Sequence, residues 1–146
     1  EAAGFTDVKT ILSSGNVAFT ASTAVVPLLE SAAEVLMPEH LGRVFQTIVR
    51  PSAFLQSLVA EDPFAEFALP ANAKRIVTFL RRPCERLVAL PIERGHARIL
   101  KLQNTEVFSA YVPNETGPVF MTLLESTFGT EMTTRTLETV RKCSLT

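Results

Sequence analysis

Between Lys74 and Arg135 the apolar residues fall into six successive segments, and the order of those segments limits the fold more than any composition figure. Residues 75–80, Arg-Ile-Val-Thr-Phe-Leu, have the β-branched and aromatic character of a strand, and residues 84–90 read as a brief helix. Residues 97–102 and 106–112 are two more strands, separated by Gln103-Asn104-Thr105, a spacing suited to a hairpin. Thr116 is placed to cap a helix with Pro118 in its first turn, in which Val119, Phe120, Leu123, Leu124, Thr127 and Phe128 recur at helical intervals until Gly129 ends it. Residues 132–135 are strand-like, and residues 136–143 form a terminal helix. Strand, helix, strand, strand, helix, strand is the split βαβ or ferredoxin-like plait.

The upstream residues give the same order with its beginning missing. Glu1-Ala2-Ala3-Gly4-Phe5 reads as the last turn of a helix closed by glycine. Residues 8–12 and 17–20 are β-like runs around Ser13-Ser14-Gly15-Asn16, where a Gly-Asn pair suits a tight hairpin. A helix is expected over residues 23–37, capped by Ser22 or Thr23, tolerating Pro27 in its first turn and ended by Pro38 and Gly42. Residues 43–50 alternate as a strand. Pro51-Ser52 then opens a short helix carrying Phe54, Leu55, Leu58 and Val59, which Asp62-Pro63-Phe64 stops. The expected fold is therefore α+β, with two tandem ferredoxin-like plaits. Residues 1–51 form a first plait lacking its opening strand and most of its first helix, residues 52–73 a linker helix and loop, and residues 74–146 a second plait with a terminal helix.

Composition agrees with packed domains. In 146 residues, 47% are hydrophobic and 20% charged, with a net charge of −1, which is too apolar for intrinsic disorder. No apolar run approaches the roughly 18 residues that span a bilayer, so no membrane association is expected. Two cysteines, Cys84 and Cys143, without a CxxC motif suit a reducing cytoplasm. With only His40 and His96 a multi-histidine metal site cannot be built, and no metal or cofactor is expected.

The near-neutral total conceals a basic run. Lys74, Arg75, Arg81, Arg82, Arg86, Arg94, Arg98 and Lys101 face only Glu85 and Glu93, a local surplus of six. Such runs are most often the solvated faces and ends of strands, and otherwise meet an anionic ligand or partner. Dinucleotide, P-loop, zincin and nucleophile-elbow signatures are absent from the sequence. A Cys84–His96 dyad is conceivable beside Arg81, Arg82 and Arg86, but a buried cysteine near a loop histidine is the ordinary arrangement. Stacking of RNA bases on Phe79, Phe108 or Tyr111 is disfavoured by the overall charge and by the lack of a ribonucleoprotein motif, so nucleic acid is not expected as a partner.

Two short motifs carry the remaining functional signal. Ser14-Gly15-Asn16 reads as a turn that also offers backbone N–H groups and an amide to a ligand. In Thr133-Thr134-Arg135, Thr134 or the following Thr136 is expected to cap the last helix, with Arg135 pairing with Glu131 or Glu138 or holding an anion at the helix start. The candidate ligand-binding residues are Ser14, Gly15, Asn16, Thr134 and Arg135.

Gly4-Phe5-Thr6-Asp7-Val8 followed by Ser14-Gly15-Asn16-Val17-Ala18-Phe19 resembles the early signature of the bacterial domain of unknown function 1697, GFxDVxTYIQSGNVVF. Asp62-Pro63-Phe64 resembles its NPF, and the run from Thr133 to Val140 is similar to its closing TTRNWNTV. The resemblance implies a bacterial cytoplasmic protein of two plait-like halves, preceded by an opening strand with an RGINVGG motif. This chain has Gly117-Pro118 where the family tends to show Ser-Lys, and Thr136-Leu137 in place of Asn-Trp. The family carries no established activity.

Two functions fit this sequence. The first is a non-enzymatic binding or structural module for an anionic small molecule or a protein partner. The second is an enzyme acting on a phosphorylated or nucleotide-like substrate between the two halves. An incomplete first plait also leads us to expect a chain that self-associates or folds poorly in its first third.

Overall fold

The computed structural model describes residues 6–11, 16–20, 26–41, 48–84, 88–113 and 119–145. It divides into two compact units, one formed by residues 1–57 with 141–146 and the other by residues 58–140.

In the first unit, β1 (Thr6–Ile11) and β2 (Asn16–Thr20) form an antiparallel ribbon whose register shifts between Thr6 and Lys9. Helix α1 (Val26–Leu41) accepts Pro27 in its first turn, where the N–H groups have no intrahelical partner. It runs through Pro38 rather than stopping there. That proline lies in the last turn, so the helix forgoes one backbone bond near its end and continues to Leu41, just before Gly42. Leu29 and Glu30 are buried, and Glu30 Oε2 accepts the backbone N–H of Val49 at 2.8 Å. Residues 48–50 are not a strand, so that part of the expected strand over 43–50 is not formed, while residues 43–47 lie outside the described set. The buried carboxylate takes the Val49 amide that a strand ladder would have used. The expected helix end at Gly4 and the caps at Ser22 and Thr23 also lie outside the described residues.

Helix α2 (Ser52–Glu61) begins where Pro51 predicts, its first bonds running from Phe54 N and Leu55 N to Pro51 O. It ends at Asp62, which takes φ +46°. Asp62 N donates to Val59 O and Asp62 O accepts from Ala65 N, so the chain turns sharply into Pro63 and Phe64.

The second unit is built on a five-stranded antiparallel sheet of β3 (Lys74–Leu80), β4 (Ile92–Arg94), β5 (Ala97–Gln103), β6 (Glu106–Tyr111) and β7 (Met132–Thr136), in the order β4-β5-β6-β3-β7. Helix α3 (Val119–Phe128) crosses between β6 and β7, and α4 (Leu137–Ser144) follows β7 directly. With α1 and α2 this makes a mixed α+β fold with four helices among the described residues. None of these helices is long and apolar enough to cross a membrane.

Strand β4 is absent from the sequence expectation. The brief helix expected over residues 84–90 is not formed at Cys84 or at residues 88–90, while residues 85–87 lie outside the described set. The chain instead passes a cis Leu90–Pro91 bond and enters β4, which pairs with β5 from Ile92↔Ile99 to Arg94↔Ala97. The pairing leaves a two-residue loop, Gly95-His96, and Gly95 supplies the positive φ of +59° that a tight primed turn requires. The β5–β6 hairpin turns in the same way at Asn104, with φ +57°.

Strands β3 and β6 are buried almost end to end because both faces of the sheet are covered at its centre. One face carries Ile76, Leu80, Ala97, Ile99 and Val107, packed under Phe120, Leu123 and Leu124 of α3. Full burial of side chains this size stabilises by about 1.5–3 kcal/mol each. On the opposite face Phe64 meets Phe108 edge to ring, with centroids 5.8 Å apart. A bulge at Leu100, between the Ile99↔Ser109 and Lys101↔Phe108 pairs, lets consecutive residues Ile99 and Leu100 both be buried. The Ser109 hydroxyl, in the row between Ile76 and Ile99, is buried without a hydrogen-bond partner among the described residues.

Candidate functional site

Of the residues singled out in the sequence, Ser14 and Gly15 lie outside the described set. Asn16 is the first residue of β2, registered opposite Ile11, and so belongs to the ladder. Asn16 falls in the first unit, and Thr134 and Arg135 in the second.

Thr134 and Arg135 are adjacent in β7, and side chains alternate along a strand, so they address opposite faces of the sheet. Thr134 is registered against Thr78, and the two hydroxyl oxygens lie 3.1 Å apart. Thr78 is fully buried. Arg135 is registered against Val77, and its Nη1 donates to Thr133 Oγ1 and to Thr134 O, each at 2.8 Å. Its guanidinium is thereby folded back along its own strand. Of the two candidate caps, Thr136 takes the role: its Oγ1 accepts the Thr139 N–H at 3.3 Å, in the first turn of α4. Glu131, one of the acids expected near Arg135, pairs with Arg82 at 3.1 Å.

Six of the eight members of the basic run separate into two groups, Arg86 lying outside the described residues and Arg81 being half-buried just after β3. Arg82 meets Glu131, Arg98 Nε lies 2.9 Å from Glu93 Oε1, and Lys101 Nζ lies 3.3 Å from Glu66 Oε1. Lys74, Arg75 and Arg94 are exposed and have no ion-pair partner among the described residues. The register gathers them at one end of the sheet. Lys74 opens β3 and is paired through Tyr111 and Ala97 to Arg94, which closes β4. Arg75, the next residue of β3, faces the other way and is linked through Ala110 to Arg98. At about 4.8 Å per strand, three strand steps put Lys74 and Arg94 roughly 14 Å apart. This end of the sheet is a broad cationic rim, in which positive charges are spread rather than focused on a point.

The aromatic rings along these strands serve packing. Phe79 and Phe108 are buried, and Tyr111 stacks on Phe120 with centroids 4.7 Å apart. Cys84 packs against the α3 core, while His96 is exposed in the β4–β5 turn.

Lys74, Arg75 and Arg94 were visible in the sequence as members of a basic run. Their distinction from Arg82, Arg98 and Lys101 depends on which acids reach the run, and two of those acids come from distant parts of the chain. Glu66 lies 35 positions from Lys101, and Glu131 lies 49 positions from Arg82.

No curated protein and no solved structure matches the chain. A family model described as a protein of unknown function (DUF1697) matches residues 1–108, a span that includes the Gly4–Phe19 motifs and Asp62-Pro63-Phe64 and stops before Thr133, and the chain belongs to that family.

Proposed function

We propose that the protein is a non-enzymatic binding module whose cationic sheet end, Lys74, Arg75 and Arg94, takes an acidic surface of a partner protein. The observation that carries this reading is the division of six members of the basic run: three cations are matched by Glu131, Glu93 and Glu66, and three at one end have no ion-pair partner among the described residues. An unmatched cluster raises the local potential and speeds encounter with a negatively charged partner. Spread favours a protein surface over a small anion, because a lone phosphate or carboxylate is held by donors that converge on it.

The plait reading enters here as well. Its support in the second unit is the order β7-β3-β6-β5 with every neighbour antiparallel, which is how a split βαβ chain arranges four strands; β4 is an addition at the edge. In the first unit the support is the sequence order β1, β2, α1. A bacterial, cytoplasmic setting fits the family resemblance and two cysteines that are not joined in a disulfide.

A fluorescent decaglutamate peptide tests the binding proposal by anisotropy. Binding is expected at low salt, weakening as the Debye length shortens. It should be lost in Lys74→Glu/Arg75→Glu/Arg94→Glu and retained in Arg82→Glu. Equal binding by the triple variant removes the proposal, and displacement by inorganic phosphate at concentrations near those of the peptide replaces it with a small-anion site.

A further inference from the structure

We infer that the outer edge of β7 pairs with β7 of a second copy of the chain, antiparallel and centred on Thr134. This rests on the edges of the sheet and is independent of the cationic rim. The two edges differ. At one side β4 has three residues, follows Pro91 and ends in the charged pair Glu93-Arg94, the features that keep an edge from recruiting another strand. At the other side β7 is registered to β3 through five consecutive pairs, from Ile76↔Thr136 to Leu80↔Met132, without a shift. It contains no proline and no bulge, and three of its five residues are threonine. Among the described residues no strand lies on its far side.

The residues of β7 select the occupant. A two-fold axis at Thr134 sets Arg135 of one copy directly opposite Thr133 of the other, on the same face of the extended sheet. Thr133 Oγ1 is the acceptor Arg135 already uses within its own strand, at 2.8 Å. Met132 falls opposite Thr136, and no like charges meet. The antiparallel arrangement is also self-complementary and closed, so it stops at two copies.

A contact of one short strand per copy lies at the small end of specific interfaces, so the test spans a range of concentrations with the full chain. Sedimentation should show a monomer–dimer equilibrium, and the amides of Met132–Thr136 should exchange more slowly at high protein concentration than at low. Opposed Cα atoms in an antiparallel pair lie about 4.5–5.5 Å apart, within disulfide reach. Oxidised Thr134→Cys should therefore give a dimer whose linked peptide maps to position 134 in both copies. A monomer at every concentration overturns the inference, as does a dimer with unchanged exchange in β7. A disulfide mapping only to Cys84 or Cys143 overturns it too, and if Thr134→Cys fails to fold, the exchange data on the unaltered chain decide.

Discussion

The ring edge of Phe64 meets the ring of Phe108 at 80° between planes, and both side chains are about 98% buried. Phe64 ends the Asp62-Pro63-Phe64 motif, and the contact gives that motif a physical task. Asp62 turns the chain out of α2, Pro63 fixes the next φ, and Phe64 covers the sheet face opposite α3.

Replacing Phe64 by Ala removes the ring and leaves a cavity over Phe108, at a cost of about 3–5 kcal/mol. Urea unfolding should show a large drop in midpoint. Phe64→Leu keeps most of the volume and should lose much less, and similar losses for the two variants would mean that the ring does not fill this space.

Asp62 occupies a left-handed conformation at φ +46°, which Asn and Gly adopt readily and β-branched residues do not. Asp62→Gly and Asp62→Asn should stay within about 1 kcal/mol of the parent, whereas Asp62→Val should lose about 1–2 kcal/mol more than either. Thermal denaturation of the three variants orders them.

Ser109 presents a buried hydroxyl with no partner among the described residues. Ser109→Ala removes an unsatisfied polar group without adding volume, so it should stabilise by about 1 kcal/mol. The expected signature is a higher urea midpoint with an unchanged slope. A loss of stability would place an acceptor for Ser109 outside the described residues.

Glu30 is 4% exposed and accepts the Val49 N–H at 2.8 Å. Glu30→Ala leaves that amide without its acceptor and should cost about 1.5–3 kcal/mol, the range for a hydrogen bond to a charged group. Glu30→Gln keeps an acceptor oxygen and should cost less. Hydrogen exchange at Val49 reports the change directly, and it should accelerate in the Ala variant more than in the Gln variant.

Wherever the determinants are local, this chain is legible without its tertiary structure. The hairpin about Asn104, the periodic face of Phe120, Leu123 and Leu124, the stop at Gly129 and the cap at Thr136 are all encoded within a few residues of where they act, and each stands near its expected place. The family was legible in the same way: short runs such as Gly4-Phe5 and Asp62-Pro63-Phe64 carry the resemblance, and the family model matches residues 1–108, which contain them. Strand β4 needed the tertiary structure, because Ile92-Glu93-Arg94 has too few residues to show a period and becomes a strand only by pairing with β5. The opposite orientation of Thr134 and Arg135 followed once residues 132–136 were a strand, but the Thr78 hydroxyl that meets Thr134 lies 56 positions away. The cationic rim was decided in the same way. Eight basic residues were countable in the sequence, yet Lys74, Arg75 and Arg94 are distinguished from Arg82 and Lys101 by the reach of Glu131 and Glu66. Pairing of charges is a property of distance in space, and spacing along the chain carries it only where the fold keeps the two aligned.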